Sequence, residues 1–539
     1  MHKKIIALML AVLLCFGLSS CGKDSELTIF TPVYTKARSL DPQVASGDTA
    51  EIIAVNCYEG LVRLGENSEI LPAVAESWQL SGDGLTLTLD LRQDSTWYLT
   101  NTALKAVFDG NLPSIFDSRV TARDFVFTFR RLLSPTTRAP DAELFSCILH
   151  GREALDGLLP VSEIGVTALS DFRLQFTLAT PCESLLYYLA RPSAAPCNEV
   201  FFNATGGRYC MDFKYMLSNG PFFLTRYNSG ESYRISRSDS YVGRYKALPA
   251  AVWFYQNSDP ALVPDKFEKD TYQAGVLKSG SPDELKAYTK SSFVSGNWSL
   301  IFNASDSSLQ SASLRRAIVA SVDKSLLSEL GSTSSAHIID SAGRSFMAKR
   351  SEPESIAFDK AAATQAARAG LRELKKSAVE LVLTCLDEHE EALKNQLQLW
   401  QEALGVNIKI SLLPLPLKDL LSAVRRGDYC MALYPLSCTV PEESSFYAQF
   451  HSESSDNFLE LAEDDFDLIC DRLRAASDTS TRLSLLAEAE SYLLDNALIF
   501  PIAEAEGYYV QQKKLSGIYL SPDGRYIYYN SLCKNQKGR

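Results

Sequence analysis

Histidine is scarce: the 539 residues contain five, at His2, His150, His337, His389 and His451, and no two stand at the spacing of metal ligands. Metal-dependent hydrolysis therefore has no donor set to start from, and neither a resident metal nor another cofactor is expected. No C-x-x-C occurs, which removes the zinc ribbon and the thioredoxin-type redox site. There is no G-x-S-x-G nucleophile elbow and no G-x-x-x-x-G-K-[ST] phosphate loop. The net charge is -12 and no basic stripe breaks it, so nucleic acid has no electrostatic footprint to bind. Adjacent acids such as Glu390-Glu391 and Asp464-Asp465 sit in polar, helix-like surroundings and read as solvated faces. Elimination leaves binding ahead of catalysis.

Long apolar runs are also missing. A spanning helix needs about 20 apolar residues, and the uncharged run from Ile5 to Leu18 stops short of that. Lys3 and Lys4 precede it and the small pair Ser19-Ser20 follows, the order of a secretory signal peptide over residues 1–20. Leu18-Ser19-Ser20-Cys21 resembles a bacterial lipobox, in which cleavage falls before the cysteine and its sulfur takes a diacylglyceryl group. Cys21 is then a lipid attachment site, and two or more acyl chains hold a protein stably at a membrane. The expected location is extracytoplasmic, tethered to the cell membrane.

What remains has the composition of a folded body, with 46% hydrophobic and 22% charged residues. Its length predicts two to four domains. Ten cysteines follow Cys21, at Cys57, Cys147, Cys182, Cys197, Cys210, Cys385, Cys430, Cys438, Cys470 and Cys533. They are scattered, without the density of a stapled scaffold, and read mostly as small buried hydrophobes.

Periodicity places the elements. "LTLTLDLR" (85–92) alternates with period two and predicts a half-buried strand after the turn Ser81-Gly82-Asp83-Gly84. "VTARDFVFTFRRLLSP" opens with Thr121 and has Asp124 three residues on, a capping-box pattern. Phe125, Phe129 and Leu132 share a helical face before Pro135. "SLRRAIVASVDKSLL" repeats apolar residues at Leu314, Ile318 and Val322, and "ALKNQLQLWQEALG" closes on Gly405. The alternating "VNIKISLLPL" follows at once, so helix and strand succeed one another as in an α/β lobe.

In order along the chain, these segments resemble the oligopeptide and dipeptide solute-binding proteins of bacterial ABC importers, extracellular solute-binding family 5. The resemblance is carried by "SLDPQVASGDTAEIIAVNCYEGLVRLGENSEILPAVAESW", "VTARDFVFTFRRLLSPTT", "NGPFFLTRYNSGESYRI", "GVNIKISLLPLPLKDLLSAVRRGDYCMALYPLS" and "FPIAEAEGYYVQ". It implies an α/β, periplasmic-binding-protein-like two-lobed clamp of type II, with the extra domain of the large peptide-binding class. Lobe I would comprise residues 21–60, 184–297 and 500–539, the additional domain 61–183 and lobe III 298–499. The stretch "YLTNTALKAVFDGNLPSIFDSR" departs from the family pattern and reads as a surface loop insertion.

The resemblance further implies a monomer that is not an enzyme, whose partners are a peptide or peptide-like solute and a membrane ABC permease. Family members hold peptides by strand addition, main chain to main chain, with side chains in roomy hydrated pockets. The matching positions are Ser46, Gly47 and Asp48 in lobe I and Pro435, Leu436, Ser437 and Thr439 in lobe III. "ALYPLSCTVPEESSF" lies on the family's A-L-Y-G-W-x-A-D-Y-x-D-P-x-x-F without a gap. The Asp that pairs with a peptide's α-ammonium is Thr439 here, the Gly is Pro435, and the Trp is Leu436. Threonine replaces a charge-assisted bond by a neutral one, and proline has no N–H to donate. Glu442 or Glu443 are alternative acids. A ligand without a free amine, such as a blocked or cyclic peptide, is the other expectation. A non-peptide solute (metal chelate, haem or glycoside) and a ligand-sensing surface receptor remain open beside transport.

Overall fold

A computed structural model describes residues 27–535 apart from 67–68, 183, 229, 279–280, 332–335, 340–352, 437–442, 455, 477 and 522–523. The expected signal segment and Cys21 lie outside the described residues. Two compact units are present, residues 1–292 with 508–539, and residues 293–507.

The first unit opens with β1 (Thr28–Val33) and helix α1 (Asp48–Cys57), followed by β2 (Ala75–Leu80) and β3 (Thr86–Leu91). The alternation read in 85–92 forms β3, whose Leu87, Leu89 and Leu91 are buried while the residues between are not. Asp83 accepts from the Leu85 N–H and Gly84 takes φ +71°, as the turn before the strand requires.

The stretch expected as a surface loop contains a helix, α2 (Asn101–Phe108). Thr100 caps it, accepting the Ala103 N–H at 3.0 Å, and Phe108 meets Phe116 and Phe201 edge-on. The cap and the Phe108 ring contacts tie this helix to the rest of the unit. Helix α3 (Ala122–Leu132) follows, with the Asp124 carboxylate accepting the Thr121 N–H at 2.7 Å. Its predicted face, Phe125, Phe129 and Leu132, is fully buried.

Strands β4 (Val166–Ser170) and β5 (Arg173–Thr177) complete a sheet in the order β2-β3-β5-β4. Then come β6 (Phe222–Asn228), β7 (Ser232–Arg237) and β8 (Ala251–Gln256), which join β1 as β1-β8-β7-β6. Asp41, within "SLDPQ", has a structural role here. Asp41 is buried and paired with Arg131 of α3 at 2.5 Å, with Gln43 on the same guanidinium and Phe202 beneath it at 4.2 Å. β9 (Ala274–Leu277) ends this part.

β10 (Tyr288–Phe302) carries the chain into the second unit. There follow α4 (Ala312–Ala320), α5 (Lys360–Glu373), β11 (Val379–Leu386), α6 (Glu390–Leu404), β12 (Ile408–Leu415) and β13 (Met431–Leu436). β14 (Ile499–Gln512) returns to the first unit, where its 508–511 stretch pairs with β9. Within the second unit the sheet order is β14-β10-β13-β11-β12. Leu300 and Phe302 of β10 point into a core with Leu314, Ile318, Trp400 and Leu404, while Ile301 points into another with Leu420, Tyr447 and Phe466. Both faces of the sheet are thus covered, as a sheet with parallel strands requires.

Nine of the ten expected cysteines are described; Cys57, Cys147, Cys197, Cys210, Cys385, Cys430, Cys470 and Cys533 are free, and Cys57, Cys197, Cys210, Cys385 and Cys470 are buried. Cys438 lies outside the described residues.

Candidate functional site

In the first unit, Ser46, Gly47 and Asp48 lie at the start of α1, and all three are exposed. Gly47 adopts φ +91°, a conformation open to glycine at little cost, and its carbonyl accepts from Ala50 and Glu51. The turn is pinned from behind: Thr49 Oγ1 donates to the Thr35 carbonyl at 2.5 Å, and Thr35 Oγ1 accepts the Thr49 N–H at 3.3 Å. The amides of Ser46 and Gly47 donate to no other group among the described residues.

A helix N-terminus carries partial positive charge, and two acids, Asp48 and Glu51, stand in this first turn. Each has its own cation. Arg525 grips Glu51 with two bonds, at 2.7 and 2.8 Å, and Lys278 Nζ is 2.9 Å from Asp48. Although the Asp48 side chain is half exposed, neighbouring groups partly desolvate it and raise its pKa; the Lys278 ammonium, helped by Arg525, outweighs this and holds the carboxyl below its ordinary range. The acids are neutralised locally, and the exposed turn keeps main-chain donors. Lys278 also lies over the Tyr34 ring at 5.2 Å, and the Tyr34 hydroxyl donates to the Val276 carbonyl at 2.7 Å. Lys278 is 230 residues from Asp48 in the chain. Nothing in the sequence paired them; only the placement of β9 does.

In the second unit, Pro435 and Leu436 end β13, and Ser437 and Thr439 lie outside the described residues. Trp298 of β10 stands opposite Pro435, and Asn297 opposite Leu436. Antiparallel pairs alternate between those that exchange hydrogen bonds and those that do not. Asn303 donates to the Cys430 carbonyl at 3.0 Å, whereas Phe302 donates the other way, to Leu498 at 3.1 Å. Counting back in twos, Trp298 and Pro435 form a non-bonded pair, so the main-chain nitrogen and carbonyl of Pro435 face away from β10. On that side β11 pairs with β13 only at Met431 and Ala432. Among the described residues no strand pairs with this edge at Pro435, which offers a carbonyl and has no N–H. Leu436 faces the other way: its side chain is in the core and its main chain belongs to the β10 ladder.

His389 lies just past the end of β11 and packs edge-on against Trp298 with ring centroids 4.5 Å apart. Burial pushes its imidazole down to about 4, against the opposing pull of Asp387, so it is neutral near pH 7. Its Nδ1 is buried and finds no hydrogen-bond partner among the described residues. This pair beside the open edge carried no sequence signal, since a lone histidine has none.

The sequence profile of the bacterial extracellular solute-binding proteins, family 5 (middle region), matches residues 69–458. The chain is 24% identical to the dipeptide-binding protein DppE of Bacillus subtilis over 551 aligned positions, covering 97% of each chain. It is 24% identical to the "Probable deoxycholate-binding periplasmic protein YgiS" of Escherichia coli, covering 86% of this chain and 85% of that one. Among solved structures, peptide-bound OppA of Listeria monocytogenes superposes with a TM-score of 0.73 at 21% identity, over 95% of this chain and 99% of that one.

Proposed function

The chain belongs to the bacterial extracellular solute-binding proteins of family 5, and from that premise we propose that it is a lipid-anchored receptor that binds a peptide-like solute and delivers it to an ABC permease. Cys21 carries the anchor. No helix among the described residues is long and apolar enough to cross a membrane, so a mature chain without its signal segment would depend on that lipid. The free amides of Ser46 and Gly47 and the open edge at Pro435 are the main-chain groups offered to the ligand, each within its own unit. Binding without covalent chemistry is the role these groups support.

One observation narrows the ligand: the main-chain nitrogen of Pro435 faces the open edge and has no hydrogen. A peptide adding as a strand finds an acceptor there and no donor. Together with Thr439 in place of an acid, this favours a peptide whose amino end is blocked or cyclised over one with a free ammonium. A second reading, a non-peptide solute, draws on the same missing donor and on the similarity to a protein named for deoxycholate.

Native mass spectrometry of the chain purified from its own host, followed by release and identification of the bound molecule, tests the proposal. A blocked or cyclic peptide is the expected occupant. Peptides with free amino ends would overturn the reading of Pro435 and Thr439, and a steroid-like or other non-peptide solute would establish the second reading.

A further inference from the structure

Residues 241–248 of the first unit form an irregular connection, yet they alternate like a strand. Tyr241 and Gly243 are buried and Tyr245 and Ala247 half-buried, whereas Val242, Arg244, Lys246 and Leu248 are exposed. The inward set is tied down. The Tyr241 hydroxyl donates to Glu59 at 2.9 Å, itself 3.1 Å from Arg92, and the Tyr245 hydroxyl donates to the Pro72 carbonyl at 2.9 Å. Arg63 lies over the Tyr245 ring at 4.2 Å and over Tyr528 at 3.7 Å. The Leu248 N–H donates to the Asn530 carbonyl at 2.7 Å.

The outward set therefore presents an ordered apolar-basic-basic-apolar face, with Val242 51% and Leu248 42% exposed. Arg244 and Lys246 meet no carboxylate at ion-pair distance among the described residues; the nearby Asp239 is taken by Arg237 at 2.9 Å.

The position of this face in the fold points to its partner. The Ala250 N–H donates to the Leu27 carbonyl at 2.7 Å, and Leu27 is six residues beyond Cys21 in the sequence. Six residues span at most about 22 Å. A chain acylated at Cys21 thus holds Leu27, and the loop beside it, close to the bilayer. A net charge of -12, which becomes -14 once Lys3 and Lys4 leave with residues 1–20, is repelled by anionic headgroups as a whole. Two unpaired basic side chains flanked by two apolar ones reverse that locally, since basic groups are drawn to anionic lipid and apolar ones to the headgroup boundary.

We propose that Val242, Arg244, Lys246 and Leu248 form a membrane-contact face that seats the first unit on anionic phospholipid. The inference rests on the anchoring reading above, and its test is separable from it. The mature chain, with a histidine tag replacing the acyl group at residue 21, is bound to vesicles containing nickel-chelating lipid. The remaining lipid is phosphatidylcholine alone or an equimolar mixture with phosphatidylglycerol. Lysine acetylation by a soluble amine reagent is then read by peptide mass spectrometry.

Labelling of Lys246 is expected to slow about fivefold on the anionic vesicles, while Lys269 and Lys409, which are largely exposed, are unchanged. Arg244→Glu should return Lys246 to its rate on neutral vesicles. Equal labelling of Lys246 on both vesicle types, or equal slowing of Lys409, overturns the proposal. Protection that appears only when the permease is added assigns the face to a protein partner and overturns it too. Whether native Cys21 is acylated is read independently, from the mass of the chain extracted from host membranes.

Discussion

Trp298 and Pro435 oppose one another in the β10–β13 ladder at a pair that exchanges no hydrogen bonds, which turns the proline nitrogen toward the open edge of β13. Replacing Pro435 by Ala places an N–H on that edge. One added main-chain hydrogen bond is worth about 0.5–1.5 kcal/mol, so the affinity for short peptides should rise roughly 2- to 10-fold. Calorimetric titration checks this, and an unchanged affinity would take the edge out of the binding surface.

Thr439→Asp restores an acid at the family position. The variant should prefer a free-amine peptide over its N-acetylated form by more than about tenfold, because a buried charged pair is worth about 2–5 kcal/mol by truncation. Equal affinity for the two forms would mean that the ligand's amino end lies elsewhere.

Gly47 sits at φ +91°, and a Cβ there would meet Thr35 Oγ1 at an ordinary 3.5 Å. Gly47→Ala therefore strains the backbone without a clash. We expect a loss of about 1–3 kcal/mol in denaturant unfolding of the first unit, together with weaker ligand binding as the Ser46 and Gly47 amides shift. Unaltered stability would show that the turn relaxes to another conformation.

Arg131 and Asp41 are both buried. Arg131→Met leaves a buried carboxylate unpaired and should cost about 3–5 kcal/mol, with Asp41→Asn in the same chain recovering part of it. Equal destabilisation of the single and double variants would locate the loss in the Phe202 contact instead.

His389 is neutral in the fold because burial pushes its pKa down to about 4, from about 6.5 when unfolded. Between these values the unfolded chain binds more protons, so stability rises with pH there. The contribution is complete above about pH 6.5 and is lost as pH falls through about 4. Allowing for partial solvent access, it amounts to roughly 1–2 kcal/mol. His389→Phe should flatten this limb of the stability curve, and an identical acid limb in both proteins would place the titration elsewhere.

The periodic segments were legible in the sequence because their burial is local. The alternation in 85–92, the stripe of Phe125, Phe129 and Leu132, and the helix closing at Gly405 before β12 all formed as read. The insertion after Trp97 was harder. Its helix depends on Phe108 reaching Phe201, a contact 93 residues away that no local pattern encodes. Similarly, Lys278 reaches Asp48, and His389 reaches Trp298, through strand placement.

By itself the sequence determined the family and the residue types at Pro435 and Thr439, because each is a matter of residue type in order along the chain. Only the tertiary structure decided which way Pro435 and Leu436 face. The parity of the β10–β13 ladder turned the Pro435 nitrogen outward and Leu436 inward. The anchoring of Tyr241 and Tyr245 set Val242, Arg244, Lys246 and Leu248 on one exposed side. Direction is set by hydrogen-bond partners and packing from distant parts of the chain, and residue order does not carry it.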